Sequence, residues 1–150
     1  IGHFGLGFFS SFMVSDLVEI RTKSFKDTPA VHWTCDGSTE YNIEECDKAD
    51  RGTEIIMHID EDSAEFLQEH RILELLNKYC KFMPVAIRFG EESVWEDSET
   101  EKDENGKAKR VERKKDRIIN DTNPLWKQKP ADLKDEDYNA FYKKLYPMNF

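Results

Sequence analysis

The stretch "TEIIMHI", Thr53–Ile59, sets the reading of the fold. Ile55, Met57 and Ile59 fall on one side and Glu54, Ile56 and His58 on the other, the two-residue period of a half-buried strand. Downstream, Asp62 with Glu65 three residues later matches a capping box. A helix is expected from about Asp62 to Lys81. Phe66, Leu73, Leu76 and Cys80 stand near helical spacing, and Ile72, Leu75 and Tyr79 widen the apolar stripe. Pro84 ends it. A strand followed by an amphipathic helix implies an α/β layer, with the helix packed on a sheet through Phe66, Leu73 and Leu76.

Upstream, "LVEIRTKSF", Leu17–Phe25, alternates in the same way, and "KDTP" at 26–29 is a turn. "AVHWTC" at 30–35 is a second strand, closed by "DGS" at 36–38, and "YNI" at 41–43 is a short third. Residues 17–59 are therefore expected to form antiparallel strands. "VAIRF", Val85–Phe89, reads as a further strand. Ahead of them, "FFSSFMVS" at 8–15 is apolar on most faces and reads as a short buried helix starting near Gly7.

The chain has 150 residues and a net charge of -9, which argues against a general nucleic-acid binder. Cys35, Cys46 and Cys80 form no C-x-x-C pair, and His3, His32, His58 and His70 form no ligand-spaced motif, so neither a disulfide framework nor a metal site is expected. The apolar opening is shorter than the ~20 residues of a membrane span. It lacks the basic flank of a signal peptide. A chain that opens on Ile1 in this way is expected to be a segment of something longer.

Composition changes at Gly90. Residues 91–106 carry eight acidic residues and one lysine; residues 107–117 carry seven basic and two acidic ones. Asn105-Gly106 at the join is a two-residue hairpin signal. Folding there opposes Glu104 to Lys107, Glu101 to Arg110, Asp97 to Lys114 and Glu96 to Lys115. It also opposes two like pairs, Lys102 with Lys109 and Glu99 with Glu112. A frayed hairpin and a solvated charged linker are both compatible with residues 91–116. Beyond it, Pro124-Leu125-Trp126 is an apolar plug, and Tyr138, Phe141, Tyr142 and Leu145 give a helix from Asp135 to about Tyr146 an aromatic face. The expected division is 1–90, 91–116 and 117–150, the last reading as the edge of a second domain.

Three glycines, Gly2, Gly5 and Gly7, precede the apolar run. Converging backbone N–H groups at a helix start suit an anion. The spacing alone leaves three readings open: phosphate binding, tight helix packing, and membrane insertion of a Gly- and Phe-rich terminus. The loop lacks the lysine of a P-loop and follows no strand. Thr53, at a strand start, suits either a purine edge or an ordinary β position.

In order, "IGHFGLGFFSSFMVSDLVEI", Trp33, "DRGTEIIMHI", "EFLQEHRILELLNKY", "NPLW" and "EDYNAFYKKLY" resemble the ninety-kilodalton heat-shock chaperones, nearest to their bacterial branch. The likeness covers nearly the whole chain and fails mainly at 91–116. It implies an incomplete α/β (α+β) two-layer sandwich of the gyrase, histidine-kinase and mismatch-repair ATPase type, with a mixed, mostly antiparallel sheet and helices on one face. It implies ATP as cofactor, with Mg in the intact parent. Gly2, Gly5 and Gly7 would shape the loop, with the amides of Gly5, Leu6, Gly7 and Phe8 toward the phosphates. Thr53 would lie by the adenine, and Phe8 and Trp33 in the apolar surround. His3 stands where the family usually has glutamine. The family's catalytic glutamate, magnesium-binding asparagine and adenine-reading aspartate match no position, so no catalytic or metal residue is assigned. The implied partners are non-native client proteins and a second copy of the parent, with no nucleic acid or membrane, in the cytoplasm. The alternative is a folded interaction module without catalysis.

Overall fold

The computed structural model describes residues 2–3 and 5–147. They form two compact units, one ending at Ile72 and one beginning at Leu73.

The first unit is a four-stranded antiparallel sheet of β1 (Ser15–Lys23), β2 (Ala30–Cys35), β3 (Asn42–Cys46) and β4 (Gly52–Ile59), in the order β3-β2-β1-β4. The alternation that marks each strand in the sequence sets the two faces. Register aligns Ile43, Trp33, Ile20 and Ile55 in one row, and Cys35, Val18 and Met57 in the next. The opposite face carries Glu19, Arg21, His32, Glu54 and His58. Val18 is fully buried, with Ala30 and Cys35 close behind. Burial of a valine of this kind stabilises by roughly 1.5–3 kcal/mol.

Two helical expectations need correction. The opening run is a 3-10 helix, Gly7–Met13, with no buried residue; Phe9 and Met13 are exposed. It lies against β1 through only part of its apolar surface. Its Phe12 ring comes to 3.3 Å from where a Cβ on Gly37 would stand, so glycine in the β2–β3 turn admits the ring. The 62–81 helix is interrupted. A 3-10 helix, Glu61–Leu67, is followed by α1 (Glu69–Tyr79), with Gln68 extended between them at φ -90° and ψ 127°. The cap is Asp60, which accepts the Ser63 N–H at 2.8 Å. Glu65 does not close a box on Asp62; its carboxylate accepts instead from Arg71 Nε at 2.9 Å, across the break. Leu73, Leu75 and Leu76 are half-buried.

The second unit is dominated by a hairpin of β5 (Arg88–Lys102) and β6 (Ala108–Ile118). Of the two readings of 91–116, the hairpin is the one observed, in a different register. Asp97 faces Arg110, Glu92 faces Lys115 and Trp95 faces Glu112. The turn is a three-residue loop: Gly106 N–H donates to Asp103 O, Asp103 N–H to Lys107 O, and Gly106 takes φ 77°. Between Asp97 and Lys102 the ladder is broken by a bulge. There buried Ser98 Oγ accepts the N–H groups of Thr100 and Glu101. The three-residue turn removes one like-charge opposition, since Lys102 now faces Ala108, and beyond the bulge Glu112 faces Trp95, which removes the other. Lys115 still pairs with Glu96, and this hydrogen bond holds the Glu96 carboxyl below its ordinary range.

"VAIRF" joins β5 only from Arg88, because Asn120 captures the backbone before it. Asn120 Oδ1 accepts the Ile87 N–H, and Nδ2 donates to Met83 O and Val85 O, each at 2.7 Å. Pro124 is fully buried, and a 3-10 turn at Leu125–Lys127 brings Trp126 to 4.6 Å from Phe82. Phe141 of α2 (Asp135–Leu145) completes the cluster, 6.1 Å from Phe82 and 5.8 Å from Trp126. Lys144, in the last turn of α2, donates to Asp121 at 2.9 Å and holds that carboxyl below its ordinary range.

Candidate functional site

The glycine loop is open. Gly2, Gly5, Leu6 and Gly7 are exposed. A Cβ added at any of the three glycines would meet no atom within 4 Å, so tight helix packing is not why glycine stands there. Gly5 takes φ 67°, the left-handed region that side chains with a Cβ rarely occupy. Leu6 is the N-cap of the 3-10 helix and gives no side-chain cap. The first N–H groups of such a helix have no partner within it. Ser10 and Ser11 hydroxyls donate back to Gly7 O and Phe8 O, each at 2.5 Å, so these bonds satisfy carbonyls and take up none of the loop's amides.

Phe8 and Trp33 are brought together, ring centroids 5.8 Å apart and nearly edge to face, and Tyr41 continues the stack 6.1 Å from Trp33. Thr53 lies opposite Thr22, on the sheet face of Ile20 and Trp33. Its hydroxyl meets Thr22 Oγ1 at 2.8 Å. The loop, the aromatic pair and the threonine thus belong to one unit, and Phe8, Trp33 and Thr53 share the apolar side of its sheet. The arrangement offers a phosphate open amides and offers a flat ring an aromatic and aliphatic surface. It fits a nucleotide in part. The open cradle suits the phosphates; no residue of the set supplies the carboxylate that would read a purine amino group.

The opposite face holds a cluster that sequence reading missed. Glu19 on central β1 bridges two imidazoles: Oε1 meets His32 Nε2 at 2.9 Å, and Oε2 meets His58 Nε2 at 2.5 Å. Hydrogen bonds from His58 and then His32 lower the Glu19 pKa. The three residues come from three strands, and only the sheet register brings them together. Among the described residues no group of His, Cys, Asp and Glu side chains is arranged to hold a metal ion, and all three cysteines are free thiols. No helix of the described residues is long and apolar enough to cross a membrane.

The described residues are mixed α/β with antiparallel sheets, and with the Hsp90 family match this gives the class: part of an α/β fold of the gyrase, histidine-kinase and mismatch-repair ATPase type. The Hsp90 protein family model matches residues 88–148. The chaperone protein HtpG of Bacteroides thetaiotaomicron is 57% identical over 150 residues, 99% of this chain and 21% of that protein. HtpG of Porphyromonas gingivalis is 55% identical over 99% of the chain and 20% of its own length. HtpG of Fusobacterium nucleatum is 36% identical over 97% and 20%. The chain belongs to the Hsp90 family. It spans about a fifth of the length of the curated relatives it matches.

Proposed function

We propose that this chain is part of an ATP-dependent molecular chaperone that assists non-native client proteins. The observation that carries the reading is the 57% identity to a chaperone protein HtpG along 99% of the chain, glycine loop included. In this reading the amides of Gly5, Leu6, Gly7 and Phe8 hold the nucleotide phosphates, Gly2 and Gly5 shape the turn, Thr53 makes a polar contact to the adenine, and Phe8 and Trp33 form the apolar wall. Bound ATP, with Mg in the intact parent, supplies a cleavable phosphoanhydride. The division of labour follows as 1–90 for the ATP-binding part, 91–116 for a charged connector and 117–150 for the start of a middle domain. The parent works as a cytoplasmic homodimer.

Hydrolysis needs a positioned water, a base and charge stabilisation at the γ-phosphate. The site residues assigned here supply none of the first two. The 150-residue chain is therefore expected to show negligible turnover and no micromolar ATP affinity. A micromolar site is worth about 8 kcal/mol, and losing half of that leaves millimolar binding. Calorimetric titration with Mg-ATP tests this, and micromolar binding by the chain alone would overturn it. In the intact parent, Gly7→Val should abolish ATP binding; unchanged affinity would remove the loop from the site.

A further inference from the structure

The hairpin segregates charge by strand. β5 carries six carboxylates, at positions 91, 92, 96, 97, 99 and 101; β6 carries six cations, at 109, 110, 113, 114, 115 and 117. Among the described residues the sheet has these two strands, and the outer edge of β6 has no ladder partner there. A free edge is a template for another strand. β6 also carries Glu112 and Asp116, and β5 Arg88 and Lys102, so each strand is mixed, but cations outnumber carboxylates on β6 and carboxylates outnumber cations on β5. Arg113 and Lys114 are exposed, stand on opposite faces of β6, and face Val94 and Ser93, neither of them a carboxylate.

We propose that the outer edge of β6 accepts an extended acidic polypeptide segment as a third, antiparallel strand. Its backbone would complete the ladder while its carboxylates, alternating between faces, meet Arg113 on one face and Lys114 on the other. The occupant repeats the pattern that β5 already presents on the inner side of β6. A polypeptide is favoured over a nucleic acid because a phosphate backbone broad enough to cover β6 would also meet the β5 carboxylates, one strand spacing away, on a chain of net charge -9. The inference is independent of the nucleotide reading, since it rests on a different unit of the chain.

The test uses the 150-residue chain and a fluorescein-labelled peptide of alternating glutamate and threonine, about as long as β6. Fluorescence anisotropy should show saturable binding that weakens with salt, and amide exchange should slow across 108–118. Arg113→Glu with Lys114→Glu should weaken binding about tenfold or more. The same peptide N-methylated at alternate amides keeps its charge but cannot pair its backbone, and should not bind; this arm needs no variant that might misfold. Absence of saturable binding, equal binding of the N-methylated peptide, or stronger binding of a single-stranded oligonucleotide would each overturn the proposal. So would concentration-dependent self-association that protects 108–118, which would make a second copy the occupant.

Discussion

Asn120 provides the most quantitative test of how the second unit is held. Its amide satisfies three backbone groups of the segment after α1: the Ile87 N–H, Met83 O and Val85 O, each at 2.7 Å. Asn120 itself is 9% exposed, so its own amide is shielded from water. Asn120→Ala strands all three groups. A typical hydrogen bond contributes about 1 kcal/mol net, and a buried group left unpaired costs about 1–3 kcal/mol. Val85 is exposed, so water can replace the partner of its carbonyl. The remaining two groups set the expected loss at about 2–3 kcal/mol. Asn120→Asp should be worse, because a carboxylate in that place accepts from Ile87 but turns an anion toward two carbonyl oxygens. Urea unfolding followed by the fluorescence of Trp126, which sits in the same unit, measures both. A loss below about 0.5 kcal/mol for Asn120→Ala would refute the idea that this side chain holds the segment.

Other outcomes follow from the same geometry. Phe82→Ala removes one ring of the Phe82–Trp126–Phe141 cluster and should cost about 1.5–3 kcal/mol, read from the same unfolding curve with a change in Trp126 emission. Gly106→Val forces a β-branched residue to φ 77° and should cost about 1–2 kcal/mol in the hairpin, seen as faster amide exchange in β5 and β6; unchanged exchange would contradict the turn assignment. Lys144 lowers the folded pKa of Asp121, so Asp121 contributes stability that is present above the ordinary carboxylate range and is lost as pH falls through the lowered value. Asp121→Asn should therefore destabilise at neutral pH, by an amount that shrinks as acid is added; a constant difference across the titration would show that the ion pair is not the cause.

Three strands of the first unit were legible because alternation is a local property: Leu17–Phe25, Ala30–Cys35 and Thr53–Ile59 each announce two faces within a few residues; the remaining one, read as 41–43, runs Asn42–Cys46. Their pairing partners were less so, and Glu19 with His32 and His58 shows why: the residues lie 13 and 39 positions apart, and only register joins them. The hairpin existed in the charge pattern, but its register depended on Ser98, whose hydroxyl takes two backbone amides and inserts a bulge. The helix break at Gln68 was not legible: capping rules assign the Glu65 carboxylate locally, whereas it accepts from Arg71 across the break. Asn120 was not singled out in the sequence; the apolar pair Ile118-Ile119 directly before it was the available signal that the stretch is folded. In the candidate site, glycine type and spacing marked the loop and the family resemblance set Phe8 and Trp33 in one apolar surround; their ring contact at 5.8 Å appeared only once the sheet was built.

The Phe12 ring over Gly37 has a spectroscopic consequence. Protons held a few ångströms from the face or edge of a benzene ring feel its circulating electrons, and their resonance frequencies move away from those of a solvated glycine. The two α-protons of Gly37 therefore act as a built-in gauge of whether the 3-10 helix Gly7–Met13 is seated on the sheet. Because the helix follows directly on the glycine loop, the gauge reads the loop's anchorage without a label, through a residue that lies outside the loop itself. Phe12→Leu should return both protons toward the frequencies of an ordinary turn glycine.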